Sequence, residues 1–453
     1  MVHTNGNDNF RDLVGGEIIL EKKYILYGYG KSNRAVKSYL ESHQESYWIY
    51  YDQHEQDSFL SNILLKHAKA IIKSPGIPFD RMLLQMAQAQ AIPIWSDLEL
   101  YYHLYPQHEY VIVTGSLGKT TVSTWISQML SGIPQFQDHL VGNIGHPIFQ
   151  VQSDRPIGLV VEASSFMLHN TVNVAPHVFV LTNLFAHHLD YHQTLDGYAQ
   201  DKLKLIENMQ EKDVYIYPLD DEIIKHYRQV YYPKSLSIRQ LTFSLTNLNA
   251  DCYLTNDAIY FHQTKIIDVA LLAKQELHNI KNAMVAILVG QVYGVEKEWM
   301  THVLSSFQGV HYRFETIYQN NDLIIINDAK STTPEATRFA IETINKQYYG
   351  YHKIVILGGK MPPEDYENVN QVIPCCDWIY LYGKDHNKLA IQLKAQRMQV
   401  HDTLEEVIAS LPHQKQMVIL YSPSCVSYDQ YASFEERGAH FNFLIQHVFL
   451  KND

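Results

Sequence analysis

Short apolar, β-rich runs, each ending in a glycine or polar turn, recur along this chain with helical stretches between them. Tyr24-Ile25-Leu26-Tyr27 runs into Gly28-Tyr29-Gly30-Lys31-Ser32. Trp48-Ile49-Tyr50-Tyr51 ends at Asp52, and Ala70-Ile71-Ile72 runs into Lys73-Ser74-Pro75-Gly76. Further runs are Tyr110–Val113, Gly158–Glu162 and Val178–Thr182, then Leu323–Asn327, Lys353–Leu357, Trp378–Tyr382 and Met417–Tyr421. The helical stretches include Val122–Leu130, Tyr198–Met209, Asn279–Tyr293 and a short one near Trp299–Phe307. Strands alternating with helices predict an α/β chain built on parallel sheets, because parallel strands need crossover connections. The chain has 453 residues. A single core stops growing near ~250–300 residues, so two or three domains are expected, and the pattern of runs falls into three blocks: 1–106, 107–307 and 308–453.

Composition narrows the class. Apolar residues make up 46% and charged residues 19%, as in a folded globular protein. A formal net charge of -12 leaves no basic excess to neutralise a nucleic-acid backbone. Cys252, Cys375, Cys376 and Cys425 form no C-x-x-C pair, so neither a zinc site nor a disulfide framework is expected. The polar stretch Met1–Asp12 and the lack of an 18-residue apolar run point away from secretion and membrane spanning, and toward a reducing cytoplasm.

The strongest local signal is Thr114-Gly115-Ser116-Leu117-Gly118-Lys119-Thr120-Thr121, directly after a β-rich run and before a helical one. Glycines let backbone N–H groups turn inward around phosphates, and the following helix adds its positive end. Lys119 is placed to reach the outer phosphates and Thr120 to hold Mg2+. The full Walker pattern is not met, since Val113 stands where its first glycine would be. A glycine turn beside a surface lysine is the bland alternative. Glu162 ends one strand-like run and His188 follows another, where ligands meet an open α/β sheet. A carboxylate and an imidazole there can hold a hard cation over a phosphate. Taken alone, such a glutamate is more often a solvated or paired carboxylate, and such a histidine more often a loop residue than a ligand.

In this order the motifs resemble the Mur ligase family, from about residue 22 to 445. They are Gly115–Thr121, Gly142-Asn143-Ile144-Gly145, Glu162-Ala163-Ser164-Ser165-Phe166, and Thr182-Asn183 with His188-Leu189-Asp190. Asp201-Lys202-Leu203, His278-Asn279-Ile280-Lys281-Asn282-Ala283, His311-Tyr312-Arg313-Phe314-Glu315 and Asn327-Asp328-Ala329-Lys330-Ser331-Thr332 follow. The run from Leu420 through Ser427-Tyr428 to Phe434-Glu435-Glu436-Arg437-Gly438 is similar to the D-glutamate-adding branch.

The resemblance implies three domains: an N-terminal Rossmann-like UDP-binding domain, a central P-loop ATPase-like domain and a C-terminal Rossmann-like domain. It implies that ATP phosphorylates the carboxylate of UDP-N-acetylmuramoyl-L-alanine, and that D-glutamate then displaces phosphate to form an amide of a peptidoglycan precursor. Lys119, Glu162, His188 and Lys202 would be catalytic. Two Mg2+ sites would use Thr120 and Glu162, and His188 with a carbamylated Lys202. Gly115, Ser116, Gly118, Lys119, Thr120, Thr121, Asn279, Asn282, Arg313 and Asp328 would bind ATP. Gly28, Lys31, Ser32, Asp52, Ser74, Gly76 and Asn143 would bind the UDP substrate. Lys330, Thr332, Ser427, Tyr428 and Phe434 would bind the amino acid. A monomer is expected, as is usual in that branch.

Several residues depart from the pattern. Asn33 stands where the branch often has glycine. Leu117 replaces an asparagine of the phosphate loop, and Thr333 replaces an asparagine. Pro362 stands where a lysine or arginine normally meets the amino acid, with Lys360 two residues earlier. A ligase for another acceptor such as L-glutamate, and a nucleotide-binding homologue without ligase chemistry, therefore stay open. The phosphate loop argues against an NAD-dependent dehydrogenase.

Overall fold

The computed structural model describes residues 3–4, 22–51, 58–137, 139–185, 189–231, 238–307, 309–361 and 366–450. Among them the chain is α/β, with three sheets. It divides into two compact units, residues 1–307 and 308–453.

The first sheet comprises β1 (His3–Thr4), β2 (Lys23–Tyr27), β3 (Tyr47–Tyr50), β4 (Ala68–Lys73) and β5 (Ile94–Trp95), in the order β1-β3-β2-β4-β5. β2 runs parallel to β3 and β4, and β1 is antiparallel to β3. The central sheet comprises β6 (Glu109–Thr114), β7 (Leu140–Gly142), β8 (Gly158–Glu162), β9 (Val178–Leu181), β10 (Val214–Pro218), β11 (Arg239–Ser244), β12 (Cys252–Thr255), β13 (Ala258–Phe261) and β14 (Thr264–Asp268). Its order is β14-β13-β12-β11-β10-β9-β6-β8-β7. It is parallel except at its far edge, where β12, β13 and β14 form antiparallel pairs. Strands β6, β8 and β9 are buried along almost their whole length, which is why they read as continuous apolar runs.

These two sheets share one apolar core. Tyr39 and Tyr101 meet Phe149 edge-on at 5.0 and 5.3 Å between ring centroids. The buried Glu99 carboxylate accepts from the main-chain N–H groups of Val172 and Asn173. The boundary expected near residue 106 therefore lies between sheets that pack as one unit.

The second unit carries β15 (Glu315–Gln319), β16 (Leu323–Asn327), β17 (His352–Gly358), β18 (Trp378–Tyr382), β19 (Met398–Val400) and β20 (Met417–Tyr421), in the order β15-β16-β20-β17-β18-β19. Only β15 is antiparallel to its neighbour. Among the described residues no helix is long and apolar enough to cross a membrane.

Candidate active site

The phosphate loop joins β6 to helix Lys119–Leu130, which begins directly at Lys119. Gly118 caps that helix at φ +80°. A Cβ there would lie 2.6 Å from Asn282 Oδ1, so only glycine lets the loop pass this close to the helix Leu277–Val292. Gly115 has φ +149°, and a Cβ on it would collide with Thr182 Oγ1. We expect Gly118→Ala to lower the melting temperature by several degrees and to weaken nucleotide binding at least tenfold, because strain at positive φ adds to the clash. Differential scanning fluorimetry with and without ATP checks both.

Thr182 and Asn183, at the end of β9, hold the loop in shape. Thr182 Oγ1 donates to Leu117 O at 2.7 Å. Asn183 Nδ2 donates to the same oxygen at 3.0 Å, and its Oδ1 accepts from Leu117 N at 2.8 Å. Leu117 is thus fixed through its main chain while its side chain faces solvent. Ser116 Oγ accepts from Phe185 N and lies 3.0 Å from Tyr198 OH, so this candidate phosphate contact also braces the loop.

Two ammonium groups converge on one carbonyl. Lys119 Nζ donates to Gly115 O at 2.8 Å and Ser116 O at 3.0 Å. Lys202 Nζ donates to Gly115 O at 2.9 Å and Thr114 Oγ1 at 3.2 Å. Lys202 is buried. Burial, and then repulsion from Lys119, hold its pKa well below the ordinary lysine range, against the opposing pull of Glu162 and Asp201. Lys202 is thus not an ordinary solvated helix lysine.

Glu162 ends β8 beside this pair, also buried. Its Oε1 accepts from Asn143 Nδ2 at 2.7 Å, while Oε2 is buried with no hydrogen-bond partner among the described residues. An orphaned carboxylate oxygen at the mouth of a phosphate loop suits a cation ligand. Asn143 N also donates to the Glu162 main-chain carbonyl, so the Gly142–Gly145 turn is tied to Glu162 at two points, one on its carboxylate and one on its main chain. Thr120 is buried in the first turn of the loop helix. Asn279 and Asn282 lie one turn apart on helix Leu277–Val292, their side chains linked at 3.3 Å. His188 lies outside the described residues, as do Asp52 and Pro362.

Behind Lys202 lies a network that the sequence reading missed. Asp201 Oδ2 accepts from His169 Nδ1 at 2.7 Å and His192 Nδ1 at 2.8 Å, and His192 Nε2 is 2.9 Å from Ser165 Oγ. These ligand-type atoms touch one another as hydrogen-bond partners, which ties three helices together around Lys202. Asp201 and Ser165 lay in quoted motifs; nothing in the spacing of the two histidines marks them as their partners.

In the first sheet, the loops after β2 and β4 meet, since a Cβ on Gly28 would lie 3.1 Å from Ser74. Ser74 Oγ is buried without a partner among the described residues, while Gly76 is exposed. Lys31 Nζ points to Gly145 O at 3.5 Å, which brings the β2 loop to the Asn143 turn. Ser32 hydrogen-bonds the buried Asp97. Asn33 Nδ2 donates to Tyr27 O, Gly28 O and Ile72 O, so this departure fastens the ends of β2 and β4.

In the second unit, Asp328 follows β16. Its Oδ1 accepts from Phe314 N, and its Oδ2 accepts from Ser331 Oγ and Ser422 Oγ at 2.5 and 2.8 Å. It thereby joins the Arg313 loop to the ends of β16 and β20. Lys330 N donates to Tyr312 O, and the Lys330 ammonium lies 3.9 Å from the centre of the Phe434 ring. Phe434 is half-buried at the start of helix Phe434–Leu444. Ser427 is buried and Tyr428 exposed. Thr332 is half-buried, and Thr333 caps helix Pro334–Gln347 by accepting from Ala336 N.

Burial pushes the Asp328 carboxyl up to about 6, against the pull of its hydroxyl partners. A carboxyl whose folded pKa is raised contributes stability that is present below its unfolded pKa and lost as pH rises through the folded value. Between pH 4 and 7, Asp328→Asn should therefore gain about 2–3 kcal/mol relative to the parent protein. Urea titrations at both pH values test this, and a difference independent of pH contradicts it.

A family model described as the Mur ligase middle domain matches residues 113–290, and one described as the Mur ligase, glutamate ligase domain matches residues 312–425. The chain is 32% identical over 387 residues to the UDP-N-acetylmuramoylalanine--D-glutamate ligase of Shouchella clausii, covering 83% of each chain. It is 28% identical over 439 residues to the ligase of the same name from Oenococcus oeni, covering 94% of this chain and 97% of that one. The solved structure of the UDP-N-acetylmuramate-alanine ligase MurC from Thermotoga maritima shares the fold, with a TM-score of 0.59 and 18% identity, covering 94% of this chain and 99% of that one. Relatives at this identity and coverage, with both matched domains in order along the chain, establish that it belongs to the Mur ligase family of ATP-dependent amide-bond-forming enzymes.

Proposed function

We propose that this protein joins D-glutamate to UDP-N-acetylmuramoyl-L-alanine at the expense of ATP, through an acyl phosphate, in the cytoplasm and as a monomer. The observation that carries this reading is the meeting of Lys119, Lys202 and the orphaned Glu162 oxygen around one phosphate loop, in a chain whose relatives bear the name of that ligase. A carboxylate and a polyphosphate repel each other, so cations must lie between them. Main-chain N–H groups of Gly115–Thr121 take the phosphates, and Lys119 Nζ leaves the Gly115 carbonyl to follow the charge that develops on the transferred group. Thr120 and Glu162 would hold one Mg2+, and His188 with Lys202 the other; when bound, the ions neutralise phosphate charge. The depressed pKa of Lys202 favours the neutral amine, which can add CO2 and release a proton to become a carbamate anion.

Asn143, already bonded to Glu162, is the contact for the muramoyl end, and Gly28, Lys31, Ser32, Ser74 and Gly76 serve the UDP end. Asn279, Asn282, Arg313 and Asp328 serve the nucleotide. Lys330, Thr332, Ser427, Tyr428 and Phe434 hold the amino acid, whose free amine attacks the acyl phosphate carbonyl and expels phosphate.

Incubation with ATP, Mg2+, the muramoyl nucleotide and either D- or L-glutamate, followed by mass spectrometry, tests the reading. The expected product is the donor extended by one glutamate residue with D-glutamate only. Extension with L-glutamate instead, or no extended product, overturns it.

A further inference from the structure

Arg437 is fully buried in the second unit, on helix Phe434–Leu444, one turn after Phe434. Its hydrogen bonds all go to main-chain oxygens. Nη1 donates to Cys425 O at 2.8 Å and reaches Gly358 O at 3.5 Å, and Nη2 donates to Ala329 O at 2.9 Å. Nε is buried with no partner among the described residues. Gly358, Ala329 and Cys425 stand at or just beyond the carboxyl ends of β17, β16 and β20, which are neighbours in the sheet.

Each carbonyl adjoins a candidate contact for the amino acid. Lys330 follows Ala329, Lys360 lies two residues after Gly358, and Ser427 lies two after Cys425. The same loops are laced together by their main chains. Lys360 and Val426 exchange two hydrogen bonds, and Ser424 N donates to Ser331 O. A guanidinium stays charged when buried, and burying it is costly. An apolar side chain could fill the same volume. What only the planar fork supplies is a fixed set of donors spread over three loops.

We propose that Arg437 is the positioning residue of the amino-acid site. Its fork sets the β16, β17 and β20 loops in one register, so that Lys330, Lys360 and Ser427 face one dicarboxylate amino acid. The inference rests on the proposed use of D-glutamate. Arg437 itself need not touch the substrate.

The test uses the full-length variant Arg437→Lys, whose single ammonium cannot span three carbonyls. Its KM for D-glutamate is expected to rise about tenfold or more while the KM values for ATP and the muramoyl nucleotide stay within about twofold. Hydrogen exchange without ligands is expected to show the amides of Lys330, Lys360 and Val426 losing protection together, with the strands unchanged. An unaltered D-glutamate KM, or equal rises for all three substrates, overturns the inference. The exchange experiment separates its failure from that of the proposed function. If the parent enzyme ligates no amino acid, coordinated loss of protection still supports the positioning role, and unchanged protection at the three loops refutes it. Should Arg437→Met also be made and fail to fold, Arg437→Lys alone decides.

Discussion

Lys119→Ala is expected to lower the rate of ATP splitting by about 10³-fold while leaving the fold intact, since removing one preorganised charge donor from a transition state typically costs 10²–10³. The stability half of this prediction comes from the geometry. Lys119 bonds Gly115 O and Ser116 O, but Lys202 bonds Gly115 O as well, and Thr182 and Asn183 hold Leu117 independently. The loop therefore keeps its shape without Lys119. Its loss also relieves the repulsion that depresses Lys202. Stopped-flow or coupled assays of ADP release, with circular dichroism as a control, measure both halves. A variant that retained even a tenth of the rate would remove Lys119 from the chemistry.

Glu162→Gln separates activity from stability in opposite directions. Gln keeps the shape and the Oε1 acceptor that Asn143 Nδ2 uses, but it replaces the orphaned Oε2 with a neutral amide. Turnover should fall by about 10²–10³-fold, because a neutral amide is a poor ligand for a hard cation beside the phosphates. The ligand-free protein should be as stable or more stable, by up to about 1–2 kcal/mol, because a buried acceptor without a partner costs free energy of that order. Calorimetry and turnover on the same preparation decide this. Equal losses of stability and activity would mean that Glu162 is structural.

The sequence was most informative where burial is most complete. Strands β6, β8, β9, β16, β17 and β20 are covered on both faces and appear as unbroken apolar runs. Strands β10 to β14 have no counterpart in the sequence reading, nor do the short β1, β5 and β19, although β10 is buried throughout. β12 to β14 are partly exposed and form a three-stranded antiparallel edge, so their apolar pattern is diluted. β7 hides beside the Gly142 turn, and β15 begins within the His311–Glu315 motif. The helix expected over Tyr198–Met209 begins earlier, at Leu195, where Thr194 caps it, and tightens into a 3-10 turn over Lys204–Asn208.

The site shows the same division. The glycines of the phosphate loop are legible because positive φ leaves few alternatives. The contacts that bury Lys202 against Thr114 and pair Asp201 with His169 span 88 and 32 residues, which no local pattern encodes.

The most direct test of the central claim, that a cationic phosphate loop lets two anions react, is isotope transfer. The muramoyl nucleotide, labelled with 18O in the reacting carboxylate, is given ATP, Mg2+ and D-glutamate, and the released phosphate is analysed by mass spectrometry. The account expects one 18O in phosphate for each amide formed, because a carboxylate oxygen bridges to phosphorus in the acyl phosphate and leaves with it. Amide formation with unlabelled phosphate, or with AMP and pyrophosphate as products, would contradict it.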